Sequence, residues 1–334
     1  MSDRTTTDGA DVTDVTDEAG TDGAGAGTAG LPVSGRQAVL RHGGYEAAVA
    51  GVGASLRVLR HEGRDLVRPF EADELRPVFS GALLAPWPNR VVDGRWTSED
   101  GVEHQLALSE PDRGHALHGL LGWVEWTLAA ADGSSATFVA ETAPSDGYPY
   151  RVAVEATFEL ADDGLTTTVA ATNVGAGRAP WGTGPHPYLV AGEGRVDDWT
   201  LRLPADRYLE VTDDRLAPLE VRDVTAREGF DFREPRRVGD LFVDHAFTGL
   251  VPDAGGATVV ELTAPDGRGV RMTSGPELPW VQVHTADRPE PGLDRTGLAV
   301  EPMTCPPDAL NSGTDLVVLD PGASHVSSWT IAAI

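Results

Sequence analysis

Residues 150–160, YRVAVEATFEL, alternate strictly: Val152, Val154, Ala156, Phe158 and Leu160 share one face, while Arg151, Glu155, Thr157 and Glu159 largely occupy the other. Successive side chains of an extended chain point to opposite sides, so this pattern is a strand with one buried face. ADDG at 161–164 then turns the chain into LTTTVAATN, which completes a hairpin. A hairpin with one apolar face needs a second layer to cover it, and that requirement constrains the fold more than any other feature. ATVVELTA, PDGRG and VRMTS repeat the logic over 257–274. Further strands are expected over 45–59, 102–108, 122–130, 135–142, 199–203, 279–286, 296–301, 314–319 and 325–333. No segment keeps a 3.6-residue apolar period, and 39 glycines and 24 prolines punctuate the chain throughout. Many short strands with such turns predict an all-β fold, a large antiparallel β-sandwich or barrel. Without an internal repeat or a polar mid-chain linker, residues 35–334 read as one domain. Residues 1–34, rich in Asp, Thr, Gly and Ala, read as a disordered acidic tail.

The formal charge of −26 argues against a nucleic acid or an anionic membrane as partner, since either demands a basic face. All 26 basic residues are arginines. Without lysine there is no Schiff-base aldolase, no lysine-anchored pyridoxal enzyme and no P-loop nucleotidase, because each needs an amine at its centre. Cys305 is the single cysteine and permits no internal disulfide. The first 30 residues lack the apolar stretch of a signal peptide, and no apolar run reaches 18 residues, so a soluble cytoplasmic protein is expected.

Several islands break the alternation with polar groups set among Gly, Pro and Trp: LLAPWPNRVVDGRW (83–96), HALHGLLGWVEW (115–126), WGTGPHPYL (181–189), LFVDHAF (241–247) and LAVEPMTCPPDALNSG (298–313). His186 stands between Pro185 and Pro187, each of which fixes its own φ and restricts its predecessor, so the imidazole is held in extended backbone. That stiffening serves either a strand end or an aimed proton donor. In TGLAVEP, Leu298 and Val300 fall on one face and Ala299 and Glu301 on the other, which makes Glu301 either a solvated edge carboxylate or a partly desolvated general base. His115 and His118 are spaced i, i+3, but the remaining ligands of a zinc signature are missing, so no metal is expected. Arg90 is open to a salt bridge with Asp93. Asp244 and His245 are expected at the end of an apolar strand. Trp87, Trp123, Trp181 and Trp280 are core or rim residues by default, although aromatic faces beside polar loops also suit the C–H face of a sugar.

Taken in order, PWPNRVVDGRW, LHGLLGW, PHPYL, DHAF, WVQVHTA and AVEPMTCPPDALNSG, followed by a terminal SSWTI strand, resemble the aldose 1-epimerases, or galactose mutarotases, over roughly residues 40–334. The resemblance implies the galactose mutarotase-like β-supersandwich. It implies Glu301 as general base on the anomeric hydroxyl, His186 as general acid on the ring oxygen, and His118 as an assisting group near that oxygen. It further implies Arg90, Asp244 and Gln282 as binders of sugar hydroxyls; Asn89, beside Arg90, and Trp181, at the head of the His186 stretch, complete the expected substrate contacts. His284, on the strand face of Gln282, is taken as structural, and His42, His61, His104 and His325 as ordinary residues. No cofactor is implied, and the partner is a small sugar, bound by a monomer or weak homodimer. HPYLVAGEG and LHGLLGW depart from the family's usual Tyr-Phe-Asn-Leu and Leu-His-Gly-Gly, which points to a divergent bacterial branch and leaves the preferred sugar open.

The expected activity is therefore the interconversion of α and β anomers of a free hexose, such as glucose or galactose, through acid/base ring opening. One rival is a hexose-6-phosphate 1-epimerase, for which Arg113, Arg288 and Arg295 offer cations in rim loops, against the opposing net charge. Another is a non-catalytic carbohydrate-binding protein of the same fold, which would have no need of a matched acid and base.

Overall fold

In the computed structural model, which describes residues 30–334, the hairpin at 152–173 supplies the third and fourth strands of a nine-stranded antiparallel sheet. Strands Val152–Ala161 and Gly164–Asn173 pair along their whole length, from Val152 opposite Asn173 to Ala161 opposite Gly164. Strand Ser324–Ala333 adds to Gly164–Asn173, and Gly269–Ser274, Thr258–Thr263, Thr200–Arg202 and Arg236–Arg237 follow. On the other side Ser135–Glu141 and Thr127–Ala131 complete the run.

A second, six-stranded antiparallel sheet has the order Tyr188–Leu189, Leu298–Met303, Trp280–His284, Asp244–Leu250, Ala205–Val211 and Pro218–Asp223. A four-stranded sheet, Gln37–His42 through Arg64–Asp65, is a third component. Residues from all three sheets, among them Phe158, Val281, Val300 and Leu59, bury into one continuous apolar core. This is the all-β sandwich that the alternation predicts. Among the described residues the only α-helix is the single turn Ala309–Ser312.

Two expectations change in detail. The stretch 45–59 is two strands, Tyr45–Ala50 and Ser55–His61, because residues 51–54 turn. Asp244 opens its strand, Asp244–Leu250, instead of closing one. Most of the expected acidic tail, residues 1–29, lies outside the described residues. Pro32–Ile334 cluster as one unit.

Candidate active site

The six-stranded sheet has two unlike faces. Val281, Val283, Leu298 and Val300 point into the core. The register sets Glu301 opposite Gln282, His284 opposite Asp244, and Tyr188 opposite Ala299, and strand alternation then gathers Glu301, Gln282, His284, Asp244 and Tyr188 on the other face. That face floors a cavity of about 500 Å³, within the range of small-ligand sites. A wider concavity of about 890 Å³, beside Glu62–Asp65 and Ala264–Arg268, has no such convergence of acid and imidazole groups.

The cavity walls come from the islands. His186 is anchored on both sides of its peptide unit: its N–H donates to Ala82 O (2.9 Å), and its carbonyl accepts from Gly81 N–H (2.8 Å). Gly184 and Pro185 pair with Leu84 and Leu83 just before it. His118 and Asn89 both sit in left-handed backbone, at φ 61° and 57°. They are locked together, since His118 N–H donates to Asn89 O (2.8 Å) and Asn89 N–H donates to His118 Nδ1 (3.1 Å). An Nδ1 that accepts from a backbone amide carries no proton, so His118 is neutral and its Nε2–H is a donor. Gly119 makes this packing possible: at φ +75°, a Cβ there would lie 2.1 Å from Ala85 O.

His186 Nε2 lies 3.4 Å from Glu301 Oε1, and both side chains are almost wholly buried. Burial lifts the Glu301 carboxyl well above its usual range, Asp244 adds to this, and Arg90 opposes it. Burial pushes the His186 imidazole down to about 3, with His284, Arg288 and Arg76 contributing. Both directions favour an uncharged pair holding one proton between them. Among the described residues His186 Nδ1 and Glu301 Oε2 have no hydrogen-bond partner, and neither does Gln282 Oε1.

Arg90 and Asp244 form the charged side. The Arg90 guanidinium is gripped by Glu110 (Nε–Oε2 2.7 Å, Nη2–Oε1 3.0 Å) and lies 3.9 Å from Asp244 Oδ2. Its expected alternative partner, Asp93, binds Arg215 instead. Asp244 Oδ1 accepts from Gln282 Nε2 (2.6 Å). Burial pushes the Asp244 carboxyl up, but His284 and Arg90 outweigh it and keep the group ionised. Phe79 stacks near His118 (4.6 Å between ring centroids), and the half-exposed Trp123 stands edge-on to Phe79 at 5.4 Å.

The structure therefore brings together Glu301, His186, His118, Arg90, Asn89, Asp244 and Gln282. It does not bring Trp181. That side chain is fully buried in the main core, on the short ladder Ala179–Trp181 with Val317–Leu319, away from the cavity lining. Trp181→Ala is expected to lower stability by about 3–5 kcal/mol through the void it leaves, while Trp181→Phe leaves sugar KM unchanged. Denaturant melts and steady-state kinetics check the pair; a KM shift in the Phe variant would return Trp181 to the site.

His284, taken as structural from sequence, lines the cavity 3.8 Å from Asp244. Sharing the strand face of Gln282 was the available signal. Tyr188, Phe79 and Arg76 also line it and were not foreseen. Tyr188 follows His186 by two residues, at a strand too short for its alternation to be read. Of the three arginines considered for a phosphate, Arg295 does not line the cavity and is tied up by Asp197 (3.0 Å) and Asp287 (2.8 Å), and Arg113 is paired with Glu110 (2.8 Å) at its rim. His115 is equally structural: its Nδ1 accepts from Asp93 N–H (3.2 Å) and its Nε2 meets Arg215 O (2.9 Å). Among the described residues no three His, Cys, Asp or Glu side chains group as a metal site, and no helix is long and apolar enough to cross a membrane.

The profile of the aldose 1-epimerase family matches residues 36–332. The chain belongs to the aldose 1-epimerase family. The chain is 34% identical to YihR, an uncharacterised protein of Escherichia coli K12, over 87% of this chain and 91% of that one. Among solved structures it is similar to the GalM/aldose epimerase homologue of C. elegans (TM-score 0.78, 20% identity, 90% of this chain and 99% of that one). It is also similar to galactose 1-epimerase of Lactobacillus acidophilus (TM-score 0.74, 20% identity, 89% and 94%). At such identities the structural matches establish the fold, the galactose mutarotase-like sandwich. Membership rests on the profile.

Proposed function

We propose that this family member interconverts the α and β anomers of a free pyranose by acid/base ring opening. The observation that carries the reading is the 3.4 Å separation of His186 Nε2 and Glu301 Oε1. Both oxygens that exchange protons in this reaction are bonded to the same carbon, C1. Acid and base must therefore stand side by side, as these two do, and not on opposite sides of the substrate.

Glu301 takes the proton of the C1 hydroxyl as His186 gives one to the ring oxygen; the C1–O5 bond opens, C1 turns, and reclosure on the other carbonyl face returns both protons. No electron pair leaves the sugar, so the reaction is an isomerisation that balances without a co-reactant. The resting pair already holds the one proton required. Moving it from carboxyl to imidazole generates the reactive form, and Arg90, which draws the Glu301 carboxyl down, favours that transfer. His118 offers its Nε2–H near the ring oxygen. Asp244, Gln282, Asn89 and the Arg90–Glu110 pair are placed to hold hydroxyls and fix the ring.

Freshly dissolved α-glucose and α-galactose, followed by polarimetry, test the reading. The protein is expected to speed the decay of optical rotation at least a hundredfold per unit of bound sugar over buffer, from acid and base acting together. Sugar binding without any acceleration would leave a carbohydrate-binding protein and remove the enzyme.

A further inference from the structure

Arg288 lines the cavity without the partners that the other cavity arginines have. Arg90 and Arg113 share Glu110, and Arg76 spends its guanidinium on Ser55 Oγ (2.6 Å) and Gly122 O (2.6 Å). Among the described residues Arg288 makes no ion pair, and its buried Nε has no hydrogen-bond partner. Of the acids nearest in sequence, Asp287 binds Arg295 (2.8 Å), Asp294 Oδ1 accepts from the Arg288 backbone N–H (3.1 Å), and Glu290 is exposed and makes no ion pair with it among the described residues. In a chain with 52 acidic and 26 basic residues, a half-buried cation without a carboxylate is a local exception to the composition.

Its neighbour is also unpartnered. The Tyr188 hydroxyl is buried, in a side chain only 1% exposed, and has no hydrogen-bond partner among the described residues. Tyr188 and Arg288 line the same cavity, and burial raises the phenol while the charges of Arg288 and Arg68 pull against it. Behind the ring, the Arg68 guanidinium stacks at 4.0 Å and is held by Ser80 Oγ (2.8 Å), again without a carboxylate. The Tyr188 ring in turn lies 5.1 Å from that of His186.

Position supplies the rest. A ring oxygen has two carbon neighbours, C1 and C5. Glu301 marks the C1 side of His186, so a group next to His186 on another side faces C5 and whatever C5 carries. Arg90, Asp244 and Gln282 occupy the part of the cavity left to ring hydroxyls. We propose that Arg288 and the Tyr188 hydroxyl form a subsite for an anionic group on the exocyclic carbon of the sugar, so that the substrate is an acidic aldose. This rests on the epimerase reading, because His186 at the ring oxygen sets the sugar's orientation. Phosphate, sulfate and carboxylate share the recognising chemistry: a guanidinium and a hydroxyl donating to anionic oxygens. The overall negative charge is screened within about 10 Å at ordinary ionic strength, so the local cation decides.

The test compares glucose, glucose 6-phosphate, glucose 6-sulfate and glucuronate in mutarotation, with wild type, Arg288→Gln, Arg288→Lys and Tyr188→Phe. At least one acidic sugar is expected to exceed glucose about tenfold in kcat/KM. That ratio should fall roughly 10- to 100-fold in Arg288→Gln, chiefly through KM, recover in part in Arg288→Lys, and fall less in Tyr188→Phe. Calorimetric binding of the same four sugars to Glu301→Gln reads the anion preference without turnover. Absence of turnover on every sugar, with the preference for acidic sugars intact, would strike the epimerase reading alone. Glucose bound and turned over as well as every acidic sugar would overturn the subsite. So would an Arg288→Gln variant, folded by its melting curve, that changes all four sugars by one common factor.

Discussion

Glu301→Gln is expected to lower kcat for anomer exchange by about 10³-fold or more while leaving sugar affinity within a few fold. The amide keeps the shape of the side chain but cannot accept the C1 proton, and general-base catalysis alone contributes about 10²–10⁴. Polarimetry and calorimetry on one preparation separate the two quantities. A variant of undiminished kcat would move the base elsewhere.

The same substitution has a second signature. The folded Glu301 carboxyl titrates well above its ordinary range because it is buried, whereas the unfolded one does not. Below pH about 4 both forms are protonated and the difference vanishes. As pH rises, the unfolded chain ionises first, and stability is lost until the folded carboxyl also ionises. Glu301→Gln should therefore melt higher than wild type at neutral pH and equally with it in acid. A gain that persists in acid would show that the carboxyl is not the strained group.

His186→Asn is expected to cost about 10²–10⁴ in kcat through loss of the proton donor. His118→Asn should do less, since His118 is a fixed neutral donor and not the group that exchanges protons. The pH profile discriminates further. Wild type needs one proton on the His186–Glu301 pair, and burial depresses His186 to about 3 while raising Glu301. Activity is accordingly expected to hold level on the acid side of neutrality and to fall on the alkaline side, as the pair loses its only proton. Equal losses in the two histidine variants, with unchanged profiles, would assign the donor role to neither.

Sequence and structure agree where alternation is long enough to carry information. In LAVEP, five residues suffice to set Glu301 opposite to Val300, and the same parity puts Gln282 beside it. His186 could be placed because its prolines allow few backbones. Trp181 could not, because a three-residue ladder shows no period and an indole suits core and sugar equally. Arg288 stood among three candidate arginines of equal appearance; only the folded chain shows that Arg295 and Arg113 are already paired. Tyr188 had no polar signature, since its hydroxyl matters through what it lacks. The pairing of His118 with Asn89 depends on two left-handed residues meeting across the chain, and neither is glycine, so composition gave no sign of it.

The floor of the cavity is the reverse of the core. Val281, Val283 and Val300 pack inward on the same strands that carry Gln282, His284 and Glu301 outward. Amide protons of these strands should consequently exchange with deuterium only when the entire molecule opens, whereas the loops bearing Phe79, Trp123 and Phe242 can open one at a time. A bound sugar would then slow exchange across both sheets at once, and melting temperature becomes a direct readout of occupancy.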